Sequence, residues 1–367
     1  MKPLELLKHE IDKCVRCGTC RSTCPTTKVL GVETASPRGR VSLVSAFSKG
    51  EIGLSETYLK HLRECTLCGA CRTNCPNYVD TVSIFAAARA EAVEKQGVPL
   101  AASLAFRGLK DSGGIVGIGL KIASRLQGLL FKDASAGPGL VSRFSLPLVG
   151  NGRLVPPLAK TFFLDLPEIK SLSGAGEGNR PRVAFYAGCG VNYLMPWVGT
   201  KSIELIKRAG AWVEVPGGQA CCGMPAYAMG DLASAREMAL KNLEALESSG
   251  ADFIATSCAT CGHGLKAIMP ELLSDDPALK LRAEKVASRI RDISELLLNE
   301  LGFRGKGCES GPKTIVTYHD PCHLGRAQGL REEPRELIKM GKGTVLKEMK
   351  HPCLCCGLGG GLMYTNY

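Results

Sequence analysis

The sequence predicts a multidomain α+β protein, with an α-helical N-terminal domain organised by cysteine motifs, followed by tandem α/β domains of which the second is incomplete. Three observations predict this fold class. Two four-cysteine motifs of identical spacing occupy the N-terminal region, and strand-like segments alternate with helix-like segments in the second half. The cysteine pattern of that half starts again 133 residues further on, which indicates an internal duplication. We expect domains at residues 1–95, 96–180, 181–312 and 313–367.

Composition predicts a globular protein with reduced thiols. The chain has 367 residues, of which 45% are hydrophobic and 18 are cysteines. Its first residues, MKPLELLKHEIDK, contain no apolar signal segment. We therefore expect a cytoplasmic protein whose clustered thiols bind metal rather than form disulfides. The formal charge of +11 counts every cysteine as a neutral thiol. The net charge therefore becomes smaller once cysteines bind metal as thiolates. With 5% aromatic residues and no nucleic-acid-binding module, the sequence argues against a nucleic-acid partner.

The N-terminal region carries the same cysteine motif twice. The first motif, "CVRCGTCRSTCP", spans residues 14–25, and the second motif, "CTLCGACRTNCP", spans residues 65–76. This is the bacterial ferredoxin pattern, in which three thiolates bind one [4Fe–4S] cluster and the fourth binds the other cluster. Structural zinc, the alternative, uses two cysteine pairs and leaves the third evenly spaced cysteine unexplained. The pattern predicts cluster 1 on Cys14, Cys17, Cys20 and Cys75, and cluster 2 on Cys65, Cys68, Cys71 and Cys24.

Helical periodicity predicts the elements around these motifs. Residues 36–51 and 55–65 are expected to form helices, the second with Ser55 as its N-cap, and residues 81–95 a closing helix capped by Thr81. Residues 117–131 are predicted to form an amphipathic helix with an apolar face. This face either packs on its own domain or docks on a membrane surface or a partner subunit. Residues 171–181 are expected to form a flexible boundary. The apolar face consists of Ile118, Ile122, Leu126 and Leu129.

In the second half, cysteines follow predicted strands. Residues 182–189, 211–216 and 251–258 read as strands with helices between them, which is typical of a mostly parallel sheet whose sites lie at the strand ends. The cysteines at these ends are Cys189, Cys221, Cys222, Cys258 and Cys261. The second copy supplies Cys322, Cys355 and Cys356, and its closing Cys-x2-Cys would fall beyond Tyr367. We therefore expect either a truncated chain or a copy without a metal site. Cys308 and Cys353 match no motif.

Two ferredoxin motifs followed by two cysteine-rich "CCG" domains resemble the iron–sulfur subunits of glycolate oxidase and D-lactate dehydrogenase. The third subunit of anaerobic glycerol-3-phosphate dehydrogenase and the catalytic subunit of heterodisulfide reductase are similar. The resemblance covers nearly the whole chain, and "SPRGR" at residues 36–40 is most like the glycolate oxidase subunit. In heterodisulfide reductase such cysteines hold a non-cubane iron–sulfur cluster; the five cysteines of the first copy match that set and the three of the second copy match part of it. Zinc, or buried free thiols, remain the alternatives for these cysteines.

The resemblance implies an electron-transfer subunit of a flavin-dependent glycolate or D-lactate dehydrogenase. Two [4Fe–4S] clusters, with a further iron–sulfur cluster in the first CCG domain, would pass electrons from a separate FAD-binding subunit to a membrane quinone or another acceptor. No FAD motif in a strand–turn–helix context is visible, so we expect no FAD in this chain. The alternatives are a heterodisulfide-reductase-like thiol/disulfide oxidoreductase and a glycerol-3-phosphate dehydrogenase subunit. The expected location is cytoplasmic, with peripheral attachment to the inner face of the cell membrane.

Overall fold

The computed structural model describes residues 4–110, 115–134, 139–144, 153–172, 180–305 and 312–359. By their internal packing, these residues form two units. Unit 1 contains the described residues of 1–98, 223–235 and 305–367, and unit 2 contains those of 99–222 and 236–304. Most of the predicted boundary at 171–181, together with Cys308, lies outside the described residues.

The helices and strands follow in chain order. Unit 1 contains α1 (Lys8–Asp12), α2 (Pro25–Leu30), α3 (Pro37–Ser48), α4 (Glu56–Arg63), α5 (Ala70–Thr73) and α6 (Thr81–Gln96). Unit 2 then contains α7 (Leu100–Lys110), α8 (Ile115–Leu130), β1 (Phe131–Asp133), β2 (Leu140–Ser142), α9 (Pro167–Lys170), β3 (Arg182–Phe185), α10 (Gly188–Tyr193), α11 (Pro196–Arg208) and β4 (Trp212–Glu214). Next come α12 (Met224–Met229) in unit 1, α13 (Leu232–Glu247), and β5 (Phe253–Thr256), α14 (Ala259–His263), α15 (Met269–Leu272), α16 (Pro277–Arg289), β6 (Ile290–Asp292) and α17 (Ile293–Glu295) in unit 2. Unit 1 ends with β7 (Thr314–Val316), α18 (Glu332–Met340) and β8 (Thr344–Leu346).

The helices predicted around the cysteine motifs are present, with one correction at a cap. Ser55 begins α4, and its hydroxyl accepts a hydrogen bond from the Tyr58 N–H, as expected of an N-cap. The predicted cap of α6, Thr81, is wrong by one residue, because the Asp80 carboxylate accepts the Ser83 N–H instead. The Thr81 hydroxyl hydrogen-bonds Cys71 Sγ at 3.0 Å. A residue that the pattern assigns to capping thus contacts a predicted cluster ligand.

The core of unit 1 lies directly beneath the two motifs. Apolar side chains of α3, α4 and α6 form it, among them Val44, Tyr58, Leu62 and Ile84. Cys14, Cys65 and Cys75 pack against the same core. Protein cores are closely packed, so this core restrains the loops that carry the thiols, because a displaced loop would open voids in it.

Unit 2 is built on a four-stranded parallel sheet with the order β4-β3-β5-β6. Val183, Ala184 and Phe185 of β3 are fully buried, as in parallel sheets that are covered on both faces. All four strands are parallel, so their carboxyl ends meet at one edge. The predicted CCG cysteines follow three of these strand ends. The strand prediction is confirmed for residues 182–185, 212–214 and 253–256.

The second copy of the duplicated segment repeats this architecture in unit 1. Strands β7 and β8 pair in parallel, from Thr314 opposite Thr344 to Val316 opposite Leu346. Helix α18 lies between them in sequence, as α11 lies between β3 and β4. The repeat detected from cysteine spacing is therefore also a repeat of strand, helix and strand.

Helix α8 confirms the amphipathic segment predicted at residues 117–131. Its side chains Ile118, Ile122, Leu126 and Leu129 are exposed, at 49–68%. In the part of the chain that the structure describes, no helix combines the length and the apolar character needed to cross a bilayer. The described residues of unit 2 thus leave the apolar face of α8 uncovered.

Candidate iron–sulfur sites

The two cysteine motifs of unit 1 share an unusual backbone. The residue before the second cysteine is left-handed in each motif, with φ of 58° at Arg16 and 52° at Leu67. The glycine after that cysteine is also left-handed, at Gly18 and Gly69. A left-handed residue other than glycine costs about 1–2 kcal/mol, and such strain concentrates at functional sites. The turn brings backbone amides towards the sulfurs, and the Leu67 N–H donates to Cys65 Sγ at 3.4 Å.

The motifs enclose two cavities, and each cavity is lined by thiols of both motifs. The first has about 420 Å³ of atom-free space and the second about 350 Å³, both open to solvent. Cys14, Cys17, Cys20, Cys71 and Cys75 line the first cavity, and Cys24, Cys65, Cys68 and Cys71 line the second. Each cavity therefore contains the three thiols of one motif and the fourth thiol of the other that crossed ligation requires, and the first cavity also contains Cys71.

The second cavity is the more buried of the two. Its Cys24, Cys68 and Cys71 side chains are buried, whereas Cys17 at the first cavity is exposed. Burial raises the pKa of Cys71. Burial also opposes ionisation of Cys24, yet hydrogen bonds with Thr26 and Thr27 outweigh it and lower that thiol's pKa.

The "SPRGR" segment has a structural role at both cavities. Ser36 caps α3 by accepting the Gly39 N–H at 3.0 Å, and Pro37 occupies the first helical position. Pro37 lines both cavities. Arg38 donates to the Arg16 carbonyl at 3.0 Å and so braces the first loop. A Cβ on Gly39 would lie 2.1 Å from the Glu33 carbonyl oxygen. Only glycine permits this close approach.

The thiols of the second CCG copy lie beside the second motif, also in unit 1. Cys355 and Cys68 share a hydrogen bond, which raises the pKa of Cys68 and lowers that of Cys355 to about 7. Cys355 Sγ also lies 3.6 Å from the Thr66 hydroxyl. Burial raises the pKa of Cys322, and electrostatic repulsion from the nearby Cys68 raises it further. Cys356 is exposed. The cysteine spacing did not reveal this proximity, because the partners are nearly 300 residues apart.

The five cysteines of the first CCG copy come together in unit 2. Cys189 is the second residue of α10, Cys221 and Cys222 follow β4, and Cys258 precedes α14 after β5. Cys221 Sγ lies 3.8 Å from Cys189 Sγ. Hydrogen bonds with Cys221 and Cys261 lower the pKa of Cys222, and a further bond links Cys261 to Cys258. The five thiols thus form one continuous network at the carboxyl edge of the sheet.

Buried polar groups hold the Cys221–Cys222 loop against the sheet. The Tyr186 hydroxyl donates to the Ala220 carbonyl at 2.7 Å. The Asn242 amide accepts the Ala220 N–H at 3.0 Å and donates to the Cys221 carbonyl at 2.8 Å. Gln219 accepts the Ala187 N–H at 3.0 Å. The sequence pattern did not predict these roles, because tyrosine, asparagine and glutamine in a loop or helix carry no local signature of such contacts.

The donor sets fit iron–sulfur clusters. All are thiols, which are the usual ligands of these clusters. Within the described ranges, no three His, Cys, Asp or Glu side chains converge to hold a single metal ion. A cluster has several irons at separate corners, so its ligands surround a volume instead of meeting at one point. The lined cavities of unit 1 have that form.

Comparisons with known proteins match both halves of the chain. A 4Fe-4S dicluster domain model matches residues 10–79, and a cysteine-rich (CCG) domain model matches residues 183–266 and 316–367. The probable glycolate oxidase iron-sulfur subunit of Bacillus subtilis is 29% identical over 96% of this chain and 79% of its own length. Lactate utilization protein A of Bacillus cytotoxicus is 34% identical over 49% of this chain and 73% of its own length. The B subunit of fumarate reductase (CoM/CoB) of Methanothermobacter marburgensis is 30% identical over 95% of this chain, which spans 59% of that relative.

Proposed function

Since the chain belongs to the family of iron–sulfur subunits that join a ferredoxin-type dicluster domain to CCG domains, its role is iron–sulfur electron transfer, and we propose that it serves a flavin-dependent 2-hydroxy-acid dehydrogenase. The substrate would be glycolate or D-lactate, oxidised on a separate FAD-binding subunit. Among the relatives, a probable glycolate oxidase subunit and a lactate utilization protein support this substrate class.

The observation that carries the proposal is the pair of thiol-lined cavities. In the proposal, Cys14, Cys17, Cys20 and Cys75 hold one [4Fe–4S] cluster, and Cys65, Cys68, Cys71 and Cys24 hold the other. When bound, such clusters supply one-electron transfer. The protein holds the ligands in strained loops over a packed core, so little rearrangement accompanies a change of charge. Cys71 lines both cavities and places them next to each other.

The contact between Cys68 and Cys355 supports a direction for transfer within unit 1. Thr66 and Cys68 of the second motif lie against the second CCG copy, and Arg326 donates to the Cys68 carbonyl at 3.4 Å. Electrons that reach the second cavity are therefore adjacent to the thiols of that copy. We assign the first cavity to electron entry, because its Cys17 is exposed and a donor can approach it.

The exposed apolar face of α8 supports a docking role. Ile118, Ile122 and Leu126 are about half exposed and lie on one side of the helix. We assign this face to the inner surface of the cell membrane, where a quinone acceptor is located, since an amphipathic helix binds there through its apolar side. Replacing Ile122 with Asp should abolish co-sedimentation with anionic lipid vesicles while leaving iron content unchanged. Binding that Ile122→Asp does not alter would contradict the assignment.

Two measurements test the electron-transfer proposal. Anaerobically purified protein should contain at least about eight iron and eight acid-labile sulfide atoms per chain. With its flavoprotein partner present, glycolate or D-lactate should reduce the clusters, seen as an electron paramagnetic resonance signal. Cys68→Ser should remove one cluster, whereas Cys353→Ser, at an exposed cysteine outside every motif, is the matched control. Zinc without sulfide would contradict the cluster assignment, and intact clusters that neither hydroxy acid reduces would contradict the substrate assignment.

A second candidate function rests on the five-thiol network of unit 2. Contacts of Cys222 with Cys221 and Cys261 favour a site for two-electron thiol or disulfide chemistry. The fumarate reductase (CoM/CoB) relative matches 95% of this chain. Under this proposal the reduced protein cleaves a small disulfide, giving two thiols with two electrons and two protons, and Cys222→Ser abolishes the activity. Thiol release that persists in Cys222→Ser would exclude it.

A further inference from the structure

Two buried arginines lie beside the second cavity of unit 1. The Arg40 side chain is 1% exposed and lines that cavity, and Arg89 is 4% exposed. Buried arginine is rare unless the charge is paired, because leaving water is costly for an ion. Specific interactions must therefore account for the burial of each of these two charged side chains.

Arg40 has one guanidinium nitrogen with unused hydrogen-bonding capacity. Its Nε donates to the His61 carbonyl at 2.6 Å, and its Nη1 donates to the Thr26 hydroxyl at 3.1 Å. That hydroxyl in turn lies 3.2 Å from Cys24 Sγ. Its Nη2 is fully buried and has no hydrogen-bond acceptor among the described residues. The nearest carboxylate, that of Glu64, is 3.9 Å away.

Arg89 brings a second positive charge beside Cys65, one of the thiols that line the same cavity. Its guanidinium donates to the backbone carbonyls of Leu62 and Cys65. It also donates to the Ala228 carbonyl at 2.5 Å. Burial lowers the pKa of Arg89 to about 10, so it remains charged at neutral pH. These backbone carbonyls hold the guanidinium beside Cys65.

The first cavity has a different electrostatic environment. The arginine that α3 supplies to it, Arg38, is 29% exposed at the side chain, and its Nε donates to Glu33 Oε1 at 2.6 Å. Lys13 and Arg16, which also line this cavity, are exposed. A carboxylate and nearby solvent therefore screen these charges. Water screens an exposed charge more effectively than the protein interior screens a buried one, so a buried cation acts more strongly than an exposed one at equal distance.

We infer that Arg40 and Arg89 raise the reduction potential of cluster 2 above that of cluster 1, so that the first electron to enter the pair rests on cluster 2. Burial of cluster 2 alone would act in the other direction, since reduction adds negative charge to a desolvated site. We expect the two buried guanidiniums to outweigh this effect of burial, with the Glu64 carboxylate 3.9 Å from Arg40 Nη2 acting against them.

The inference rests on the two-cluster assignment proposed above. The step is a one-electron reduction in which no bond to iron breaks and no proton is required. In solution the electron comes from dithionite, and in the proposed complex it comes from the flavoprotein. The direction of transfer then follows from the residues around each cavity, since the ligands of the two clusters are equivalent.

The test is a redox titration with dithionite, monitored by electron paramagnetic resonance on the full chain. Arg40→Gln should shift the partition of one electron towards cluster 1 at least tenfold, which equals 59 mV for a one-electron couple. Arg40→Lys should retain most of the wild-type partition, because it keeps the charge. Glu64→Gln should shift the partition in the opposite direction, because it removes the carboxylate beside Arg40. Arg38→Gln, on the same helix, is the matched control and should change the partition less than twofold.

Iron and sulfide analysis of each variant separates two kinds of failure. Wild-type protein without about eight of each atom would overturn the cluster assignment itself. Loaded Arg40→Gln protein with a wild-type partition would overturn the inference alone. Cys17→Ser identifies the signal of cluster 1, and the inference is also wrong if that signal has the higher potential. If Arg40→Gln does not load, the opposite shift expected of Glu64→Gln still decides the question.

Discussion

Gly188 offers a sharp test of the first CCG site, because a single methyl group would intrude on its thiols. The residue lies between β3 and Cys189 with φ of 64°. A Cβ there would be 2.7 Å from Cys261 Sγ and 3.2 Å from the ring of Tyr186. Cys261 is 2% exposed and Tyr186 is fully buried, so neither can move aside freely.

The cost of Gly188→Ala follows from two contributions. A left-handed alanine costs about 1–2 kcal/mol, and overpacking a buried site costs about 1–3 kcal/mol. We therefore expect a loss of about 2–5 kcal/mol in the free energy of unfolding, together with displacement of Cys261. A methyl group at Gly190, two residues along the same helix, would meet no described atom within 4 Å beyond its own helix and chain neighbours. Gly190→Ala should be neutral or stabilising by up to about 1 kcal/mol.

The assay is urea unfolding of both variants beside the wild-type protein, with iron analysis of each. Gly188→Ala should unfold at clearly lower urea and should lose any iron bound in unit 2, whereas Gly190→Ala should do neither. Equal midpoints and equal iron content for the two variants would refute the steric argument. Loss of stability without loss of iron would show that Gly188 supports the fold but not the thiol network.

Three further outcomes follow from the structure of unit 1. Cys24→Ser should damage the cluster on the second motif and spare the one on the first, and electron paramagnetic resonance showing the reverse would exclude crossed ligation. Arg335 binds the buried Asp320 through two hydrogen bonds of 2.7 and 3.2 Å. Arg335→Ala should therefore lower the free energy of unfolding by about 3–5 kcal/mol. Arg208→Ala, which removes an exposed ion pair, should lower it by at most about 0.5 kcal/mol. Hydrogen bonds from Lys13 and the Asp80 amide hold the pKa of Glu10 below its ordinary 4.5. Its stabilising contribution is therefore present above that pH and lost as the pH falls below it, so the difference in urea midpoint between wild type and Glu10→Gln should shrink from pH 7 to pH 4.

Cysteine spacing was enough to predict which thiols could gather, because ligand spacing is a local property of the chain. The two motifs and the strand-end cysteines needed only short intervals and a strand–helix alternation. By contrast, the left-handed Arg16 and Leu67 could not be predicted, since neither residue type favours that conformation. The prediction of Thr81 as the N-cap was wrong because the neighbouring Asp80 is an equally good cap. The contact of the Thr81 hydroxyl with Cys71 is a tertiary effect, which the local pattern does not reveal.

Contacts between distant segments were beyond the sequence pattern for a different reason. Arg89 reaches carbonyls 24 to 139 positions away, and Cys355 reaches a thiol of the second motif. Contacts between segments so far apart in the chain leave no periodic pattern in the sequence from which they could be predicted. The cysteine pattern shows only that the second CCG copy lacks its closing Cys-x2-Cys within this sequence, whereas the structure places its Cys355 next to Cys68.

The two ferredoxin-type motifs show why these hidden contacts matter for function. Their identical spacing predicts identical ligands, and identical ligands alone give electrons no preferred direction. The asymmetry lies in residues that no motif contains: a partly exposed Arg38 paired with Glu33 at one cavity, and a buried Arg40 at the other. Both arginines come from one helix, two residues apart, so α3 directs neighbouring arginines to different cavities. A duplicated motif thus becomes an ordered pair of sites through the helix that lies between them, and removing the charge at position 40 would change the order without altering a single ligand.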